Sequence, residues 1–177
     1  MEIYRLSFCP LKDKSPKDNS GETPLHSAAS RGQLQTYSAI KDQVEDMNPR
    51  DGDNWTPLHY AALGGNVLMC EVIIRNTLEK NPSDTNGETP LHLAAEGGHL
   101  FVCEAILEYA EDKNPRDPFG WTPLHLAAQG GHLSICKLLM RYAEDKHPID
   151  SDGITPLDIA AACGHRQIIC FLLSELE

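Results

Sequence analysis

The stretch GWTPLHLAAQGGH, at residues 120–132, is one of several near-copies along the chain. Its TPLH box recurs at Thr23–His26, Thr56–His59, Thr89–His92 and Thr122–His125, and a variant, TPLD, stands at Thr155–Asp158. Consecutive boxes are always 33 residues apart. A fixed period of this length is typical of a stacked repeat protein, in which each unit buries its apolar face against a neighbour. The spacing therefore predicts an architecture, and function should be sought where the copies differ.

One unit, residues 117–149, predicts a turn, two antiparallel helices and a loop. Gly120 suits a turn that needs positive φ, and in the second unit Asn54 takes its place as the next best residue. Threonine followed by proline, at Thr122–Pro123, favours a helix start, and the glycine at 131 favours the end of that helix. A second helix is predicted from about Leu133 to Tyr142.

The period predicts one continuous domain of five repeats. Their predicted bounds are 18–50, 51–83, 84–116, 117–149 and 150–177, the last doubling as a C-terminal cap. Residues 1–17 are interpreted as half a repeat or an N-terminal cap, because DKSPKD at 13–18 aligns with DKNPRD at 112–117. The alternatives are the trailing edge of a repeat lost upstream and a frayed terminal tail.

The sequence resembles the ankyrin repeat family. The resemblance rests on the 33-residue period, the TPLH box, the alanine pair that follows it, and a glycine–histidine pair such as Gly131-His132. It implies an all-α solenoid of stacked helix pairs with short β-hairpin or turn fingers, which acts by binding other proteins. It also implies that the TPLH histidine hydrogen-bonds backbone between units. The loop at Ala143–Asp150 departs from the family, since it lacks the usual glycine and alanine.

Charge limits the classes of partner. The chain of 177 residues carries 26 acidic and 15 basic residues, a formal net charge of −11. This argues against nucleic acid, whose phosphates require a cationic face, and favours a protein partner with a basic surface. The alternative is that the acids only keep the protein soluble. No apolar run approaches the length of a membrane span, and MEIYRLSFCP lacks the basic start and long apolar core of a signal peptide. We therefore expect a cytoplasmic, reduced monomer with no membrane partner.

The histidines and cysteines do not suggest a metal or a catalytic site. Equivalent residues in adjacent repeats should lie about 8–10 Å apart, which is too far for zinc ligands at ~2.0–2.3 Å or for a disulfide. Cys70, Cys103 and Cys136 are therefore interpreted as apolar helix residues. Cys163 and His165 lack a third group that would orient them as a nucleophile and base. The sequence thus predicts no metal, no cofactor and no enzymatic activity.

By resemblance to the family, partner contacts fall on the fingers and on the exposed face of the first helices. Large or charged residues at the variable positions there are Arg50, Asp53, Trp55, Glu88, Arg116, Phe119, Trp121 and Ile154. Tryptophan and arginine often dominate binding energy at interfaces. For the two tryptophans the alternative is that they brace adjacent fingers, which explains Phe119 less well.

These features predict a scaffold or adaptor module that binds a protein through its concave finger and inner-helix surface. The alternative is a structural spacer or targeting segment of a larger multidomain protein or enzyme. Asn48, Asn81 and Asn114 precede unit boundaries where ankyrin asparagines can be hydroxylated, so they are candidate modification sites. The alternative is that each is a loop residue bonded to nearby backbone.

Overall fold

Helix pairs repeat along the whole of the computed structural model, which describes residues 15–175. The first helices of the pairs are α1 (Pro24–Ser30), α3 (Pro57–Leu63), α5 (Pro90–Glu96), α7 (Pro123–Gly130) and α9 (Pro156–Cys163). The second helices are α2 (Leu34–Lys41), α4 (Val67–Asn76), α6 (Leu100–Tyr109), α8 (Leu133–Tyr142) and α10 (Arg166–Ser174). The predicted all-α repeat fold is confirmed. The half-repeat predicted for 1–17 lies almost entirely outside the described residues.

The helices pack in two layers. Each first helix contacts the first helix of the next repeat and the second helix of its own, and α4, α6, α8 and α10 contact one another in turn. Where first helices meet, the alanine pair of each of the first four boxes is buried, as at Ala94 and Ala95. Because alanine side chains are small, the first helices can approach one another closely. A single core that includes leucine, isoleucine and cysteine side chains runs through the stack.

Every first helix begins one residue after the threonine of its box, which is the N-cap residue. Thr89 has extended backbone angles, Pro90 follows at the first helical position, and Thr89 and His92 form a capping box. Proline loses nothing at this position because its missing N–H would have no partner within the helix. The residues that carry the period therefore also set where each helix begins.

The fingers are the five loops 18–22, 51–55, 84–88, 117–121 and 150–154 that precede the first helices. In the second finger, Asp51 Oδ1 accepts the backbone N–H groups of Asp53 and Trp55 at 3.0 and 2.8 Å. Asn54 has φ 69°, as its place in the glycine position predicts. Residues 15–175 contain no β-strand, and neighbouring fingers share isolated backbone bonds such as Gly52 N–H to Ser20 O at 2.8 Å. The fingers are thus turns and not β-hairpins, because one such bond does not make a ladder.

Candidate functional site

A histidine of each of the first four boxes fixes the finger of the next repeat. In the first repeat, His26 Nδ1 accepts the Thr23 backbone N–H at 2.9 Å, and its Nε2 lies 3.0 Å from the Trp55 carbonyl oxygen. A carbonyl can only accept, so Nε2 carries the proton and the ring is neutral. Burial lowers the pKa of this ring, which agrees with the neutral form.

The same bond recurs at each junction and reaches the residue just before the next box. His59, His92 and His125 place Nε2 at 3.3, 3.2 and 3.3 Å from the carbonyl oxygens of Glu88, Trp121 and Ile154. The inter-repeat role that the resemblance implied is therefore present. Because the backbone of each finger is fixed through its carbonyl, four of the predicted site residues project side chains at the regular spacing of the stack.

The two tryptophans are half-buried and contact the stack. Trp55 donates its indole N–H to Asp84 Oδ2 at 2.9 Å, and its ring stacks on His59 with centroids 5.6 Å apart. Trp121 lies tilted over His125 at 5.7 Å. Trp55 also meets Tyr60 edge-on at 5.2 Å. Both indoles therefore have the bracing contacts of the alternative interpretation, while each still presents part of its ring to solvent.

The two arginines of the predicted set bond within the chain. Arg50 Nη2 pairs with Glu79 at 2.8 Å, and Arg116 Nη2 pairs with Asp145 at 3.0 Å. Each guanidinium also donates to the backbone of the following repeat. Their positive charges are therefore balanced inside the stack, and residue type alone did not reveal these pairings.

Three other members of the predicted set have exposed side chains. Phe119 is 66% exposed at the tip of the fourth finger, and Ile154 is 39% exposed at the end of the fifth. Asp53 is exposed at the tip of the second finger, where its backbone carbonyl accepts the Thr85 N–H at 3.1 Å. Phe119 is thus the most exposed large apolar side chain on the fingers.

Glu88 lies half-buried on the third finger, between the two tryptophan-bearing fingers. Burial raises the pKa of its carboxyl group, and the nearby charges of Asp84, Glu96 and Asp117 raise it further. Within residues 15–175 no lysine or arginine forms an ion pair with it. A cation brought by another molecule would relieve this repulsion.

Negative charge is concentrated on the fingers and first helices. Their segments are 18–31, 51–64, 84–97, 117–130 and 150–163, and together they hold eleven of the 26 acidic residues but one of the 15 basic residues, Arg31. The rest of the chain is close to neutral. The acidic character of the protein therefore belongs mainly to the face on which the candidate residues lie.

A second set of histidines joins the repeats in the opposite direction, and sequence reasoning missed its role. His132 Nε2 lies 2.9 Å from the Glu96 carbonyl oxygen, and its ring covers Gly98 so closely that a Cβ there would lie 2.6 Å from it. His99 and His165 make equivalent bonds to the preceding repeat. The 33-residue recurrence of glycine–histidine was the available signal, since a ring needs a glycine beneath it.

The candidate asparagines lie in loops. Asn81 Oδ1 accepts the Leu91 backbone N–H at 3.1 Å, so its side chain caps the start of α5. Asn48 and Asn114 donate their own backbone N–H groups to Asp46 and Asp112. All three are half-buried. Their modification stays a prediction, and at Asn81 the amide already has a structural partner.

The cysteines within residues 15–175 fall into a buried group and an exposed group. Cys70, Cys103 and Cys136 are buried in the core, as predicted, and burial raises each pKa to about 12. Cys163 and Cys170 are exposed. Across the described residues, no group of histidine, cysteine and acidic side chains is arranged to hold a metal ion. None of the helices there has both the length and the apolar character to span a membrane.

Comparison with known families gives one match. A family model described as "Ankyrin repeats (3 copies)" matches residues 35–117 and 103–177, which together span well over half of the chain. No curated protein matches the sequence.

Proposed function

The chain belongs to the ankyrin repeat family, and from that membership we propose that it is a scaffold or adaptor that binds a protein through its fingers and first helices. Ankyrin repeats are generally protein–protein interaction modules, and the family is typically non-catalytic. The stack holds the variable finger residues at a fixed spacing, which removes much of the ordering cost of an interface.

The observation that carries the proposal is the exposure of Phe119 on an otherwise acidic face. Phe119 is 66% exposed, and within residues 15–175 its side chain has no bracing contact comparable to that of Trp55. Burying an aromatic side chain against a partner removes a large apolar area from water. The half-exposed ring of Trp121 lies on the same finger and extends the apolar contact.

The partner that fits this face is a protein with a basic surface. Eleven acids and one base lie on the finger and first-helix segments, and Glu88 has like charges for neighbours. Complementary charge raises the association rate more than it raises the final affinity. Apolar contact at Phe119 and Trp121 then supplies the slow dissociation.

The second helices also carry exposed apolar side chains that could bind a protein, and they provide a matched control. Leu68 on α4 and Phe101 on α6 are 64% and 66% exposed and occupy equivalent positions of adjacent repeats. Phe101 therefore has the same residue type and the same exposure as Phe119, on a different part of the stack.

The experiment compares Phe119→Ala with Phe101→Ala. Proteins captured by the intact chain are identified and purified, and the Kd of each is measured against both variants by titration calorimetry. We expect Phe119→Ala to weaken binding by about tenfold or more, the effect of losing an aromatic anchor. Phe101→Ala should leave Kd unchanged. The reverse pattern would move the interface to the second helices and contradict the proposal.

A further inference from the structure

Two arginines form the same clamp at two different repeat junctions. Arg50 Nη1 donates to the carbonyl oxygens of Ser83 at 2.9 Å and Asn54 at 3.2 Å, and Nη2 donates to Glu79 Oε2 at 2.8 Å. The three acceptors lie 33, 4 and 29 residues further along the chain. The Arg50 guanidinium therefore joins the second finger, the residue just before the third finger and the loop after α4.

Arg116 repeats every part of this arrangement. Its Nη1 donates to Ile149 O at 2.7 Å and Gly120 O at 3.2 Å, and its Nη2 donates to Asp145 Oδ2 at 3.0 Å. The offsets are again 33, 4 and 29 residues. Two independent copies show that these three acceptors together form a guanidinium site.

The junction between the third and fourth repeats has the acceptors without the arginine. Ser83 occupies the arginine position, and the corresponding acceptors are the carbonyls of Arg116 and Gly87 and the carboxylate of Asp112. Asp112 Oδ1 accepts the Asn114 backbone N–H at 2.9 Å, as Asp145 Oδ1 accepts a backbone N–H in the next repeat. Oδ2 of Asp145 accepts a hydrogen bond from Arg116. The equivalent Oδ2 of Asp112 accepts no hydrogen bond within residues 15–175.

A cavity opens where the missing guanidinium would lie. It has a volume of about 400 Å³, and its lining includes Ser83, Gly87, Glu111, Asp112 and Arg116, together with one lysine, Lys80. The nearest lysines bond elsewhere: Lys80 donates to carbonyls at the end of α4, and Lys113 donates to Leu107 O at 2.6 Å. Within the described residues, then, no cation of the chain fills this site.

We propose that this cavity receives an arginine side chain of the bound protein, with its guanidinium between Asp112 and the carbonyls of Gly87 and Arg116. The proposal rests on the proposed function, since the cavity lies at the base of the third and fourth fingers. Arginine fits better than lysine because its planar fork can reach separate acceptors at once. Lys17, at the equivalent position of the first junction, shows the difference: it bonds the Arg50 carbonyl alone, at 2.9 Å.

The test uses N-acetyl-arginine amide as the probe and backbone amide NMR of the whole chain as the readout. We expect saturable shifts confined to residues 83–88 and 111–117, with N-acetyl-lysine amide binding more weakly. Asp112→Asn should weaken the affinity for the arginine probe by about tenfold, since it removes the charged acceptor.

The decisive variant is Ser83→Arg, which supplies the missing side chain from the chain itself. It should abolish the localised shifts, because its own guanidinium occupies the cavity. Ser151→Arg adds the same charge at an exposed finger tip and should leave probe binding unchanged. Absence of localised shifts in the unmodified protein, or equal binding by Ser83→Arg and the unmodified protein, would overturn the proposal.

The outcomes also separate this site from the proposed function. If the probe binds the cavity but Phe119→Ala leaves partner affinity unchanged, the result supports the arginine site and contradicts partner binding through the fingers. If Phe119→Ala weakens partner binding and the probe does not bind, the result supports the protein-binding role and contradicts the arginine site.

Discussion

His59 Nε2 lies 3.3 Å from the carbonyl oxygen of Glu88, a residue 29 positions further along the chain. Its other nitrogen, Nδ1, accepts the Thr56 backbone N–H at 3.0 Å. One neutral ring thus caps its own helix and fixes the finger of the next repeat. A proton on Nδ1 would face the Thr56 N–H and break this arrangement.

Stability should therefore fall in mild acid. Burial lowers the pKa of His59 to about 4, from an ordinary value of 6.5. The unfolded chain then binds the proton more readily, so stability is unaffected above pH 6.5 and is lost as the pH falls from 6.5 towards 4. At pH 5 the loss from this residue is about 2 kcal/mol. Denaturant unfolding at pH 7 and 5 measures the loss, and a folded-state imidazole titration near 6.5 would contradict the account.

The last repeat should tolerate the loss of its box side chain better than an inner repeat. Asp158 accepts the Thr155 N–H at 2.9 Å, which caps α9, but a carboxylate has no proton to donate to a further repeat. Asp158→Ala should cost about 1 kcal/mol, the value of a cap. His92→Ala removes a buried ring and its three hydrogen bonds, so it should lower the free energy of unfolding by about 3 kcal/mol. Equal losses in denaturant unfolding would mean that the bond between repeats contributes nothing.

Two glycines separate backbone strain from contact between repeats. Gly98 and Gly164 both have φ 75°, but a Cβ at Gly98 would lie 2.6 Å from the His132 ring, whereas a Cβ at Gly164 meets nothing within 4 Å. Gly164→Ala should cost about 1 kcal/mol for the left-handed conformation alone. Gly98→Ala should lower the free energy of unfolding by clearly more, because the His132 ring must move and then loses its hydrogen bond to Glu96 O. Similar Tm values for both variants would show that the ring moves away freely.

The five cysteines within residues 15–175 should react in two classes. Cys163 and Cys170 are exposed and should label rapidly with a maleimide or an aromatic disulfide. Cys70, Cys103 and Cys136 are buried with pKa raised to about 12, so they should label only when the chain unfolds. Mass spectrometry of labelled peptides distinguishes the classes. Rapid labelling of any core cysteine in the folded protein would contradict the packing described.

Partner affinity should depend on salt. The finger and first-helix segments hold eleven acids and one base, so a basic partner should associate more slowly as ionic strength rises. Stopped-flow or surface-based kinetics at low and high salt would show the change in the association rate. Dissociation should change little, because it is governed by apolar contact. A salt-independent association rate would indicate that the acids serve solubility alone.

The sequence predicted those parts of the fold that depend on local chemistry repeated at a fixed interval. The predicted second helix, Leu133 to Tyr142, coincides with α8, and Asn54 adopts the positive φ expected of a glycine substitute. The bond of the TPLH histidine between repeats was implied by the resemblance to the ankyrin repeat family. Each of these is determined by a few neighbouring residues and by the period.

The arginine clamps and the second histidine ladder could not be predicted in the same way. Arg50 reaches Glu79 and the Ser83 carbonyl only because the loop after α4 returns to the finger base, and nothing in the residue types specifies that path. Resemblance to the family and residue type place Arg50 and Arg116 on a partner surface, although their charges are balanced within the chain. Ser83 lies 33 residues from both Arg50 and Arg116, so the arginine-free junction is defined only by the geometry of those two clamps.

Hydrogen–deuterium exchange of the intact chain, with and without a bound protein partner, tests the central claim most directly. The account predicts slower exchange on binding at the third and fourth fingers, residues 84–88 and 117–121, and at the starts of α5 and α7. The second helices α4, α6 and α8 should exchange as in the free protein. Protection confined to those second helices, with the fingers unchanged, would contradict binding through the fingers.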